Sequence, residues 1–165
     1  GEVEWTAIKR TSDGRYYELT LYMDLWNNEI VSHSLSARRG DRMTYISGLT
    51  DLLELKKEFP DMRMVLHSDQ GCVYASKDFN ELLPMYNVVR SMSRAGTPTD
   101  NAAMEAINGW IKAEMFMDFH VTGNTSVEQE VDDYITFFNE QRPAYSLNYL
   151  TPKQFREQFA TYHNC

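Results

Sequence analysis

The sequence predicts an α/β fold: a mixed sheet of five strands, the first three antiparallel, flanked by helices. Three observations predict it. Three strand-like runs open the chain, divided by turn residues. After them, helical periodicity alternates with two short apolar runs. No repeat, low-complexity stretch or linker interrupts the 165 residues, so residues 1–165 form one domain with one core.

Residues 3–9 read as the first strand and the near-alternating, Tyr- and Leu-rich residues 15–23 as the second. Residues 29–35 make the third, and the turns Ser12-Asp13-Gly14 and Trp26-Asn27-Asn28 make the three a meander. A helix over 41–59 follows, with Ile46, Leu49, Leu52 and Leu53 at helical spacing and Pro60 after its end. The fourth strand, 64–66, runs into His67-Ser68-Asp69. Ser76 caps a short helix bearing Phe79, Leu82 and Leu83, and 88–92 form the fifth strand. The loop 93–99 leads to a helix from Asp100, with Met104, Ile107, Ile111 and Met115 on an apolar stripe. Asn101, Glu105, Asn108 and Lys112 line the stripe beside it, and Trp110 is expected in the core. The next helix starts near Thr125, which has capping-box spacing to Glu128, and buries Val127, Val131, Tyr134, Ile135 and Phe138. It is read as packing, with a subunit contact as the other reading. Thr151-Pro152 opens the last helix.

Two acids stand out. Asp69 follows an apolar strand and Glu105 begins a helix, with thirty-five residues between them. Lys112 comes two helical turns after Glu105. An acid at a strand end and an acid on a helix are parts of a two-metal phosphoryl-transfer site, which an acid from an early strand would complete. Spacing alone does not distinguish such acids from surface charges; the motifs around them do.

Net charge is −8, against a domain that grips DNA through a broad basic field but compatible with a carboxylate site for divalent cations. Hydrophobic residues make up 42% of the chain, yet no apolar run reaches the roughly 20 residues of a membrane span, and no signal peptide is visible. The two cysteines, Cys72 and Cys165, have no metal-ligand spacing and suit a reducing cytoplasm. The chain starts almost at once on a strand, which suggests a catalytic domain excised from a longer protein with its DNA-binding domain N-terminal to it.

His67-Ser68-Asp69-Gln70-Gly71 with Tyr74 resembles the HSDQGxxY signature of bacterial insertion-sequence transposases with an integrase-like core. Ser91-Met92-Ser93-Arg94-Ala95-Gly96 and Asp100-Asn101-Ala102-Ala103-Met104-Glu105 are similar to the family's SMSRKGN…DNAxxE segment. Phe138-Asn139, Arg142 and Leu150-Thr151-Pro152 resemble its YNxxR…L(S/T)P tail. The resemblance runs from about Val3 to Phe155 and implies a retroviral-integrase-like, ribonuclease-H-like catalytic core that cuts and joins DNA at transposon ends. It further implies a DDE set of three acids binding two Mg²⁺ or Mn²⁺ ions, with Asp69 second and Glu105 third, and Lys112 contacting DNA. Arg94 has two readings, a phosphate contact or a solvated loop charge; His67 either caps the strand end or bonds to backbone, or it acts beside the metals. A homo-oligomer acting on the bacterial nucleoid, with no membrane, is the implied assembly.

The first acid departs from the pattern. The family strand usually reads Asp-x-Thr; the match here is Glu4-Trp5-Thr6-Ala7-Ile8, with Glu4 in the aspartate's place and on the same strand face as Thr6. A tolerated swap, a loss of activity, a change introduced into this sequence and an alignment off by a residue or two all stay open, with Asp24 the next acid to consider. An active transposase core, a non-catalytic descendant that acts through DNA or protein contacts, and a structure-specific nuclease are the three functional readings, in that order.

Overall fold

The structure is a computed structural model that describes residues 2–9, 16–38, 42–68, 77–92, 106, 109–111, 113–115 and 127–159. Its strands are β1 (Glu2–Lys9), β2 (Tyr16–Asp24), β3 (Glu29–Ser36), β4 (Met64–Ser68) and β5 (Val88–Met92). The helices are α1 (Arg42–Lys56), α2 (Lys77–Leu82), α4 (Val127–Glu140) and α5 (Pro152–Phe159). Between β5 and α4 the described residues 106, 109–111 and 113–115 are helical, and this segment is α3.

The strands lie in the order β3-β2-β1-β4-β5. β1 and β2 pair antiparallel from Glu2↔Met23 to Lys9↔Tyr16, and β2 and β3 from Glu18↔Ser36 to Asp24↔Glu29, with a register shift at Tyr22/Met23. β4 and β5 run parallel, from Met64↔Val88 to Ser68↔Met92. An antiparallel block and a parallel block are thus joined by β1 beside β4, also parallel, at the register pair Glu2↔His67.

Both faces of the sheet are covered. Leu19, Leu21, Met23 and Ile30 meet Ile111 and Met115 of α3 and Val127, Val131, Tyr134, Ile135 and Phe138 of α4. On the other face Tyr22, Leu66 and Val88 meet Leu49, Leu52 and Leu53 of α1, with Leu83 from the 3-10 turn after α2. Burying each of these side chains is worth about 1.5–3 kcal/mol. The periodicities read from the sequence thus point at the right faces, because a helix three to four turns long must bury one stripe.

α1 sits close on its face. Ser32 Oγ donates to the Gly48 carbonyl at 2.9 Å. A Cβ at Gly48 would lie 2.8 Å from the Tyr22 ring and 3.0 Å from Ser34 Oγ. Tyr22 is 1% exposed. At the other end, Thr151 and Gln154 make a reciprocal capping box: Gln154 N–H donates to Thr151 Oγ1 at 3.1 Å, and Thr151 N–H to Gln154 Oε1 at 3.0 Å. The proposed cap at Ser76 and the Thr125–Glu128 cap lie outside the described residues. Among the described residues no helix is long and apolar enough to cross a membrane.

Gly48→Ala should destabilise the protein by about 1–3 kcal/mol through overpacking, although glycine to alanine inside an exposed helix normally stabilises by up to about 1 kcal/mol. Urea unfolding monitored by circular dichroism gives the sign; a stabilised variant contradicts the close packing at Tyr22.

Candidate active site

β4 and β5 are parallel, so their carboxyl ends lie at one edge of the sheet, the side on which open α/β sheets bind ligands. Ser68 is the last residue of β4 and Met92 the last of β5. Asp69 is next in sequence after Ser68, and Arg94 comes two residues after Met92; both lie outside the described residues. Glu105 directly precedes Ala106, the first described residue of α3, and Lys112 falls between Ile111 and Ala113; these two also lie outside. Glu4 is placed by its backbone alone, opposite Leu21 in the β1–β2 ladder. Leu21 belongs to the face that α3 and α4 cover.

His67 is half-buried at the β1–β4 junction, and its Nδ1 lies 3.1 Å from Ser91 Oγ on β5. That contact ties neighbouring strands together through a side-chain hydroxyl. Asp24 is otherwise engaged. Its Oδ1 accepts the Trp26 N–H at 2.9 Å in the β2–β3 turn, and it borders a cavity with Leu52 and Lys56 on the α1 side of the sheet. Among the described residues no group of three or more His, Cys, Asp or Glu side chains could hold a metal ion.

The tail motif has a structural role that the sequence did not reveal. Asn139 braces β3 like an added strand residue: its Oδ1 accepts the Ile30 N–H and its Nδ2 donates to the Ile30 carbonyl, both at 2.9 Å. Arg142 donates from Nε to both Glu114 oxygens at 2.7 and 2.9 Å, with Nη2 2.6 Å from Oε1. Tyr134 OH donates to Glu114 Oε2 at 2.8 Å. Glu114 carried no signal of its own; its partners are 20 and 28 residues away in sequence.

One expectation is overturned. Trp110 is not in the core but 57% exposed. The buried stripe of α3 passes through Ile111 and Met115, and the position before Ile111 is turned about 100° away from it. Trp110 borders a cavity of about 510 Å³ with Phe138, Tyr145 and Tyr149.

The comparisons with known proteins agree with this architecture. A family model described as Integrase core domain matches residues 105–159. The InsK transposase of insertion sequence element IS150 from Escherichia coli (strain K12) is 35% identical over 146 residues, 88% of this chain and 50% of the relative. The transposase of insertion sequence element IS904 from Lactococcus lactis subsp. lactis (strain IL1403) is 33% identical over 89% of this chain and 57% of its own length. The chain thus spans about half the length of these curated relatives. The HTLV-2 integrase catalytic core domain, solved in complex with magnesium, superposes with a TM-score of 0.71 at 17% identity, covering 93% of each chain. Fold and matches together define the class of fold, the ribonuclease-H-like fold of retroviral integrase cores. Within that class the chain is similar to insertion-sequence transposases over about half of their length.

Trp110→Ala should change stability by no more than about 0.5 kcal/mol, as for an exposed site, whereas a core tryptophan would cost about 3–5 kcal/mol. Thermal melting of the two proteins decides between these values.

Proposed function

We propose that this chain catalyses metal-dependent DNA strand cleavage and strand transfer at transposon ends, with Glu4, Asp69 and Glu105 as its carboxylate set. The observation that carries the reading is the parallel register of β1 and β4. Glu2 pairs with His67, and two residues further along each segment come Glu4 and Asp69. Parallel neighbours that continue in step would bring these two acids level on adjacent strands. Glu105, just before the first described residue of α3, would approach from the helix that covers the same face as Leu21, the partner of Glu4.

The donor chemistry fits the cations. Three carboxylates are hard oxygen ligands suited to Mg²⁺ or Mn²⁺. Asp69 would hold both ions, Glu4 one or both, and Glu105 one. When bound, the ions supply activation of a water or 3′-hydroxyl nucleophile and stabilisation of the leaving oxygen. Lys112, seven residues after Glu105, returns to nearly the same side of an α-helix and would contact phosphate. Arg94 would do so from the loop after β5, and His67 would stand beside the carboxylates from β4. Glu4 carries one methylene more than aspartate, and a shift of about 1 Å in a reacting group can lower the rate about a hundredfold.

Net charge of −8 leaves this chain little electrostatic hold on DNA, so end recognition is assigned to a separate basic domain preceding it in a longer protein. Two ends must be processed together, so the working assembly is a homo-oligomer on DNA at the nucleoid. The second reading, a transposase-derived domain that keeps the fold and acts through DNA or protein contacts, is favoured by one observation: glutamate at position 4.

Asp69→Asn and Glu105→Gln should each abolish Mg²⁺-dependent joining of terminal-repeat DNA by the full-length protein, and Glu4→Gln should do the same. Glu4→Asp should raise the rate in Mg²⁺, by up to about a hundredfold, and the difference should narrow in Mn²⁺. Activity that survives Glu4→Gln but not Asp69→Asn removes Glu4 from the set. A second measurement concerns affinity: residues 1–165 alone should bind terminal-repeat DNA only weakly at physiological salt, in the non-specific range of about 10⁻⁴–10⁻⁶ M. Tight, sequence-specific binding by this chain alone contradicts the separate recognition domain.

A further inference from the structure

The geometry points to Glu114 as a positioning residue: through Arg142 and Tyr134 it fixes α3, whose first described residue, Ala106, follows the candidate third acid in sequence. This rests on the strand-transfer reading above and adds to it a group outside the carboxylate set. Glu114 lies nine residues after Glu105 and two after Lys112.

Its carboxylate is held from two separate places. Tyr134 reaches it from the middle of α4, at 2.8 Å. Arg142 reaches it from just beyond the end of α4, through Nε to both oxygens and through Nη2 at 2.6 Å. Arg142 is itself braced. Its guanidinium lies over the Phe138 ring at 5.5 Å, and its backbone N–H donates to the Phe137 carbonyl at 2.8 Å. The paired side chains are only 22% and 21% exposed, so solvent screens them far less than it screens the Lys153–Glu140 pair, at 42% and 47%.

Among the described residues, the apolar contacts of α3 set its orientation less sharply. Ile111 and Met115 bury its inner stripe in the core. Apolar burial is non-directional and permits small rotations and slides of a helix. A planar guanidinium fork on a carboxylate is directional and resists them. From Ala106 to Glu114 the eight-residue rise makes a lever of about 12 Å, so a tilt of about 5° at Glu114 displaces Ala106, the neighbour in sequence of the candidate third acid, by about 1 Å. A displacement of that size at a reacting group can lower a rate about a hundredfold. Arg142, whose motif gave no role beyond its resemblance, thus acts through Glu114 on α3.

The test uses the full-length protein with Glu114→Gln, which removes the charge, and Arg142→Lys, which keeps the charge and loses the fork. Glu140→Gln, in the exposed pair with Lys153, is the control for charge alone. All measurements are made below the melting transition of each variant. Mn²⁺ affinity is read from the electron paramagnetic resonance of free Mn²⁺. Turnover is read from joining of a terminal-repeat duplex bearing a 3′-hydroxyl. Both variants should bind Mn²⁺ about tenfold more weakly and lose about ten- to a hundredfold in kcat, with KM for DNA changed by no more than about twofold; Glu140→Gln should match the parent. If the variants only melt earlier, and the folded protein keeps its kcat and Mn²⁺ affinity, the pair merely supports the fold and the proposal is overturned. If the parent neither binds Mn²⁺ nor joins DNA, the active-site reading fails on its own account, and amide hydrogen exchange across residues 106–115 decides the positioning role. Faster exchange there in both variants than in Glu140→Gln, with α1 unchanged, supports it; equal exchange refutes it.

Discussion

The parallel pairing of β1 with β4 is the constraint on which the rest of the structure depends. β1 is satisfied along its whole length by β2, while its other edge meets β4 at Glu2↔His67. Parallel strands cannot be joined by a tight turn and need a crossover. The crossover here is α1, which leaves β3 at one edge of the sheet and returns the chain beside β1. The close seat of α1 at Gly48, against Tyr22 and Ser34, sets how that return is made.

A second constraint works from the other end of the chain. The segment after α4 folds back in a loop closed by the Ala144↔Leu150 bridge, with Asn148 and Tyr149 both at positive φ. Polar side chains then stitch it to the first half of the molecule. Asn139 holds Ile30, Asn27 donates to the Pro152 carbonyl at 3.3 Å, and Arg156 pairs with Glu29. Trp26 meets Phe155 edge to face at 5.3 Å. These contacts give direction to a union whose stability comes chiefly from the apolar face of α4. The clamp on Glu114 belongs to the same set and ties the tail motif to α3.

The sequence made the elements legible. Each strand and helix of the prediction whose ends are described lies within one to three residues of its expected ends; the ends of the helix expected from Asp100 lie outside the described residues. The periodicity of α4 marks each of its buried positions, because local periodicity and burial are two views of the same requirement. The candidate acids were legible for a different reason. Their surrounding motifs resemble a family, and the resemblance assigns roles that periodicity alone does not. Trp110 was misread because size and hydrophobicity argue for burial, while the position beside Ile111 turns it outward.

What only the tertiary structure decided is which distant residues meet. His67 with Ser91, Asn139 with Ile30 and Glu114 with Arg142 are separated by 24, 109 and 28 residues. The register of β1 against β4 and the use of Asp24 as a turn acceptor belong to the same class. Local pattern fixes the face that an element must bury, because the solvent asks the same of every chain. Partners across the fold depend on strand order and on the seat of each helix, and these follow from the whole set of buried faces satisfied at once.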